Sequence, residues 1–161
     1  MKTVLLAVEG TVPEREILGY ALGLCRRITA ELHILHILDP RFCGSHIKKL
    51  HKQIKLGKNV FESSMAAAAF AENGEHDTAL GVLEKSSCLV REALAESGTE
   101  SINCRLRITC GETHREILRF VRRHRDIILT VYHGPVPAEL SQKLSVPLVI
   151  PRRQGFNQEN P

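Results

Sequence analysis

Apolar residues concentrate in five short runs along the chain. Three of them, KTVLLAV, ELHILHILD and DIILTV, are nearly continuous, which is typical of parallel strands that are covered on both faces. A fourth, INCRLRITC, alternates apolar and polar residues, as a strand with one polar face does. The fifth, VPLVI, contains Pro147. Because proline lacks the N–H that a ladder needs, this run is predicted to be an edge strand.

Between these runs, apolar residues recur at helical spacing. One such segment spans residues 17–28 and a second spans 76–97, with Gly98 as a plausible stop. A third begins at THREILRFVRRH, where Thr113 and Glu116 match the T-x-x-E pattern of a capping box. The pattern therefore alternates strands with helices.

This alternation predicts an α/β fold, a doubly wound five-stranded parallel sheet with helices on both faces. Residues 1–151 would form one domain, with a helical insert at about 42–75, and residues 152–161 would form a flexible tail. Right-handed crossovers would place the carboxyl ends of the first and fourth strands side by side. In such sheets that switch point is where ligands bind.

The amino-acid composition limits the class of protein further. The chain has 161 residues, of which 43% are apolar, enough for one domain with a sizeable core. No apolar run approaches the roughly 18 residues of a transmembrane helix, and the opening run is too short for a signal peptide. We therefore expect a cytoplasmic protein without membrane insertion. Aromatic residues are only 4%, so there is no strong signal for nucleic-acid binding by stacking.

The net charge of +4 conceals a segregated distribution, because residues 40–61 carry six basic residues and no acid. Four lysines of this segment are candidates for partner binding: Lys48, Lys49, Lys52 and Lys55. They would attract an acidic protein, nucleic acid or anionic lipid. The alternative is a solvated helix face that covers the sheet.

Cysteines and histidines give no pattern for a metal site. Cys104 and Cys110 lie on the apolar face of the alternating strand, so both are predicted to be buried structural thiols. His33 and His36 would point to opposite faces of one strand. The chain contains no H-x3-H or C-x-x-C pair and no G-x-S-x-G motif. We therefore predict neither a metal site nor a catalytic residue.

The segments resemble the universal stress protein family over residues 2–151. The resemblance rests on VLLAVEGTVPEREILGYALGLCRRITAELHILHILDP, on ITCGETHREILRFVRRHRDIILTVYHG, and on LSQKLSVPLVIP. It implies the adenine-nucleotide α-hydrolase-like form of the doubly wound fold. It also implies a homodimer joined by antiparallel pairing of the last strands. The interface residues would then be Val146, Leu148, Val149 and Ile150.

Some members of that family bind ATP through an aspartate after the first strand and the motif G-x-x-G-x9-G-[ST] after the fourth. Here Glu9 replaces the aspartate, and no glycine follows Gly134 before Gly155. Pro135 and Pro137 have no N–H to donate to a phosphate. The stretch is thus a shortened turn where ATP-binding relatives keep a phosphate cradle, and no cofactor is predicted.

If a nucleotide such as ATP or AMP binds nevertheless, six residues at the strand ends would contact it: Glu9, Gly10, Ile37, Tyr132, His133 and Gly134. Glu9 would bond a ribose hydroxyl, or it would instead cap a turn or pair with an arginine. Tyr132 and His133 would stack on a small ligand or bond to it, unless His133 is simply solvated.

Two functions from different classes follow from the resemblance. The first is a non-enzymatic, dimeric stress-response or regulatory protein that acts through protein partners or a small ligand. The second is a nucleotide-binding protein with a degenerate ATP site and at most slow hydrolysis. A third alternative is a regulatory module associated with a membrane transporter.

Overall fold

The computed structural model describes residues 1–9, 13–38, 54–56, 78–98, 101–136 and 138–152. Strands and helices alternate along these residues, as the apolar pattern predicts. In chain order the elements are β1 (Thr3–Glu9), α1 (Arg15–Ile28), β2 (Glu31–Leu38), β3 (Ile54–Leu56), α2 (Thr78–Ser97), β4 (Cys104–Cys110), α3 (Thr113–Arg123), β5 (Ile127–His133), α4 (Ala138–Lys143) and β6 (Leu148–Val149).

The strands form one sheet in the order β3-β4-β2-β1-β5-β6. All neighbouring pairs are parallel except β3 and β4, which are antiparallel. The five predicted strands therefore make the predicted parallel sheet, and β3 adds a short antiparallel edge. Strand β1 lies between β2 and β5, so the winding reverses direction there. This confirms the predicted switch point between the first strand and the strand IILTVYH.

Helices cover both faces of the sheet. Alternate residues of β1 divide between two cores, with Val4, Leu6 and Val8 in the core under α1 and α2. Leu5 and Ala7 lie in the other core, under α3 and α4. A strand with both faces buried needs apolar residues at every position, which explains why β1 is a continuous apolar run.

Residues 54–56 are strand, whereas the sequence pattern placed them in a helical insert at about 42–75. Lys55 pairs with Arg105 of β4 in this antiparallel ladder. The rest of the predicted insert, like the predicted tail from residue 153 onward, lies outside the described residues.

The predicted capping box at the start of α3 is wrong. The N-cap residue is Glu112, which makes no side-chain cap bond, and Thr113 is already in the first helical turn. The Glu116 side chain instead accepts a hydrogen bond from the Thr109 hydroxyl, at 3.0 Å. That bond joins α3 to the end of β4, so a tertiary contact replaces the local cap. The predicted stop at Gly98 is confirmed, because Gly98 follows α2 with a φ of +64°.

The two strand cysteines differ from each other. Cys104 is a fully buried free thiol, as predicted, and burial raises its pKa. Cys110 is only half-buried at the end of β4 and is disulfide-bonded. The prediction of a buried free thiol is therefore wrong for Cys110, which lies where the strand leaves the core.

His33 is buried in a cluster of rings beneath α3, on the opposite face of β2 from His36. The rings of Phe120 and His124 stack at 4.1 Å between centroids, and the His33 ring meets both edge-on. Burial, with a smaller effect of the positive Arg105, lowers the pKa of His33 from 6.5 to about 4. The neutral imidazole is therefore part of the folded core.

We predict that this histidine makes the protein acid-sensitive. A base whose pKa is lower in the folded state binds its proton more readily in the unfolded chain, so stability falls as pH drops from about 6.5 toward 4. The loss attributable to His33 is at most about 3 kcal/mol. Urea unfolding at pH 7.5 and pH 4.5 would measure this, and His33→Phe should reduce the difference.

The control for that experiment is His133→Gln, which removes a half-buried histidine outside the ring cluster. An equal pH dependence in wild type and His33→Phe, with both folded at pH 7.5, would assign the acid sensitivity to other groups.

Candidate functional site

The carboxyl ends of β1 and β5 lie side by side at the switch point of the sheet. In the parallel register Val8 is level with His133, so Glu9 follows directly beyond that pair. Glu9 is the last residue of β1 and the first exposed residue after six buried ones. The topology thus places a carboxylate where α/β sheets of this kind bind ligands.

Tyr132 fills the space beneath this strand end. Its side chain is fully buried, and its hydroxyl lies 3.1 Å from Oε2 of Glu9 and 3.2 Å from the backbone oxygen of Pro135. Burial, together with the Glu9 carboxylate, raises the pKa of the phenol well above its usual range. The hydroxyl therefore stays protonated and donates its hydrogen. Tyr132 was predicted as a candidate to stack on a ligand, but its ring is enclosed by the protein.

Gly134 is required by this tyrosine. Its φ of +146° is disfavoured for residues with a side chain. A Cβ there would lie 3.0 Å from the Tyr132 hydroxyl and 3.2 Å from Cζ of the ring. The glycine lets the backbone turn tightly over the phenol. The predicted shortened turn therefore lies directly over the ring of a buried tyrosine.

His133 lies next to the start of α1. Its Nε2 is 3.7 Å from Oε1 of Glu14, the N-cap residue of α1, and an ion pair forms there only when the imidazole is protonated. The strand end therefore combines two carboxylates, Glu9 and Glu14, with one histidine. This rim, formed by Glu9, Glu14 and His133, favours polar or cationic groups of a ligand and disfavours an unpaired phosphate.

Of the other two predicted nucleotide contacts, Ile37 is level with Glu9 on the neighbouring strand β2. Ile37 is 1% exposed and its side chain belongs to the core. Gly10 lies outside the described residues. Among the predicted partner-binding lysines, Lys55 lies in β3, while Lys48, Lys49 and Lys52 lie outside the described residues.

The predicted dimer residues lie on the edge of the sheet. Strand β6 pairs only with β5, so its outer side has no partner strand among the described residues. It is shorter than predicted, since only Leu148 and Val149 are in strand conformation. Val146, Leu148 and Val149 are half-buried, and Ile150 is 48% exposed.

Within the described parts of the chain, no three histidine, cysteine or acidic side chains group as a metal site would require. The same residues include no helix that is long and apolar enough to span a membrane.

No protein-family model matches the sequence, and no curated protein matches it either. Solved structures do match over nearly the whole chain. The fold is that of the universal stress proteins. The universal stress protein of Archaeoglobus fulgidus in complex with dAMP is 17% identical, with a TM-score of 0.53, covering 93% of this chain and 97% of that one.

Two further structures show the same likeness. A universal stress protein family protein of Arabidopsis thaliana with AMP bound is 11% identical, with a TM-score of 0.52 and coverage of 99% and 97%. A universal stress protein in complex with cAMP is 13% identical, with a TM-score of 0.54 and coverage of 94% and 97%. At these identities the likeness establishes the fold.

We predict that Gly134→Ala destabilises the protein by about 1–3 kcal/mol, from the strained φ and the contact with Tyr132. Tyr132→Phe removes the hydroxyl nearest to the new Cβ, so the double variant should lose less than the sum of the two single losses. Chemical denaturation of the four proteins measures this coupling.

Gly19→Ala is the matched control, because nothing lies within 4 Å of a Cβ at that exposed position in α1. It should be neutral or slightly stabilising. Strict additivity of the Gly134→Ala and Tyr132→Phe losses would show that the glycine is needed for its backbone conformation alone.

Proposed function

We propose that the protein is a non-enzymatic regulatory protein with the universal stress protein fold, acting in the cytoplasm as a dimer through a protein partner or small ligand. It would do so without tight binding of ATP at the switch point. The observation that carries the proposal is the hydrogen bond from the buried Tyr132 phenol to Glu9.

The space beneath the turn is already filled. The Tyr132 ring occupies the interior beneath the turn, and Gly134 lies against it. A phosphate cradle needs several backbone N–H groups that converge on one point. Here Pro135 follows Gly134 in the turn and has no N–H, and the sequence places a second proline at position 137. The turn is therefore shaped to cover a side chain.

The charges at the strand end also disfavour a nucleotide. Glu9 is the residue best placed to meet a ribose, yet it already accepts the hydrogen bond of Tyr132. A nucleotide would have to share or replace that bond. Its phosphates would also lie near the carboxylates of Glu9 and Glu14, which repel a phosphate. Both effects weaken nucleotide binding.

A second candidate function is nucleotide binding at a degenerate site. It is supported by the dAMP, cAMP and AMP complexes of the structural neighbours. A monophosphate would avoid part of the charge repulsion that a triphosphate meets. In this alternative Glu9 would bond the ribose, with the Tyr132 hydroxyl bonded to the far side of the carboxylate.

Calorimetry on protein stripped of nucleotide separates the two functions. We predict no saturable heat with ATP or AMP up to about 1 mM, with or without Mg²⁺, a limit that corresponds to about 4 kcal/mol of binding free energy. Micromolar binding that is lost in Glu9→Gln, with that variant shown to be folded, would establish the second function and overturn the first.

The dimer is tested at the β6 edge. Ile150 is the most exposed of the four predicted interface residues, so Ile150→Lys should place a charge in the interface with little effect on the core. We predict a dimer for the wild type and a monomer for this variant, by light scattering. Tyr20→Lys, which replaces a 42% exposed residue on α1, is the control and should remain dimeric. A monomeric wild type, or a dimeric Ile150→Lys, would contradict a dimer through β6.

A further inference from the structure

A small cavity rich in arginine lies between α3 and the sheet, over β2 and β4. Its volume is about 80 Å³. Three arginines line it, Arg107 from β4 and Arg119 and Arg123 from successive turns of α3. The side chains of Leu35 and Phe120 form the apolar part of the cavity wall. Thr109 and Glu116 contribute polar groups.

The single acid of the cavity is already engaged. Glu116 is 11% exposed, accepts the Thr109 hydroxyl hydrogen at 3.0 Å, and lies 3.3 Å from Nη1 of Arg119. It therefore balances one of the three guanidinium charges. The lining keeps a net charge of +2.

Arg107 lies beside an aromatic ring, and it has no ion-pair partner among the described residues. Its guanidinium carbon lies 5.7 Å from the centre of the Phe120 ring, which is stacked in turn on His124. No carboxylate of the described residues lies within ion-pair distance of it, whereas Arg105, on the same face of β4, is 3.8 Å from Glu31. A guanidinium within cation–π range of a ring is attracted to it and keeps its N–H groups available to bind an anion.

We propose that this cavity binds a phosphate monoester or inorganic phosphate as its dianion. The charge of a phosphate dianion balances the net charge of the lining. Guanidinium groups donate paired hydrogen bonds to phosphate oxygens, which a point charge cannot do. Bringing three guanidinium groups to one cavity costs repulsion, and a bound dianion offsets that cost.

This site is separate from the switch point and does not depend on the proposed function. In the sheet register Thr109 is level with Ile37, and Ile37 is level with Glu9. The two strand spacings between Thr109 and Glu9 amount to about 10 Å. The cavity is positive where the rim at Glu9 and Glu14 is negative, so the two sites select different groups.

The test is a titration of inorganic phosphate followed by NMR of the arginine Nε–Hε groups. We expect a saturating shift of the Arg107 signal, and Arg107→Gln should weaken binding about tenfold or more, since a charged hydrogen bond contributes at least about 1.4 kcal/mol. Arg107→Lys should also weaken it, because lysine keeps the charge and loses the paired geometry. Equal affinity in wild type and Arg107→Lys would show that non-specific attraction alone holds the anion.

Arg115→Gln is the matched control. Arg115 lies on the same helix, is 72% exposed, pairs with Glu112 at 3.0 Å and does not line the cavity. Its loss should change phosphate affinity less than twofold. Arg123→Gln, an exposed position at the end of α3, gives a second test should Arg107→Gln fail to fold. Weakening by Arg115→Gln as large as that by Arg123→Gln, or no saturable shift in the wild type, would overturn the proposal.

A phosphomonoester and free phosphate are distinguished by competition. Glycerol phosphate that displaces inorganic phosphate and binds more tightly would identify an organic monoester as the ligand class. Weaker binding of glycerol phosphate would identify free phosphate. Adenosine, which lacks the phosphoryl group, should cause no shift of the Arg107 signal, and a shift equal to that caused by phosphate would overturn the proposal.

Discussion

The parallel pairing of β1 on both of its sides is the constraint on which the rest of the structure depends. Residues 3–8 of this strand are all buried, so its two faces must be covered by helices and its two edges must be paired. Strands β2 and β5 satisfy the edges. Because all three strands are parallel, their carboxyl ends meet, and the residues that follow them necessarily share one edge of the sheet.

The Tyr132 side chain packs into the core at that edge of the sheet. Its ring extends the apolar core under α3 and α4 to the end of β5, and its hydroxyl needs a partner because a buried phenol without one is costly. Glu9 supplies the acceptor from the neighbouring strand. Glu9 is thereby hydrogen-bonded to a core residue. The backbone at Gly134 turns tightly over the Tyr132 ring, where a Cβ would not fit. At this end of β5 the structure thus places a core side chain directly beneath the turn.

The sequence predicts the architecture because the period of the apolar residues shows which positions are buried. In a doubly wound sheet, the pattern of burial largely determines which segments are strands and which are helices. It predicts the location of the candidate site for the same reason. It does not predict the roles within the site. The sequence predicts a shortened turn at Gly134, but only the position of the Tyr132 ring shows why that residue is a glycine. Likewise Thr113 and Glu116 have the spacing of a capping box, but the Glu116 side chain accepts a hydrogen bond from Thr109 on β4. The spacing of residues along the chain does not predict such a tertiary contact.

Arg105 and Arg107 show the same limit in the electrostatics. They are two residues apart on one face of β4 and are equivalent in any pattern of charge. Arg105 lies near Glu31 of the neighbouring strand, whereas Arg107 lies over the Phe120 ring. The register of β4 against β2 and the position of α3 give Arg105 a carboxylate neighbour and give Arg107 an aromatic one. Since an uncompensated guanidinium beside an apolar wall gains most from an anion, the difference between these two residues points to the cavity as a binding site.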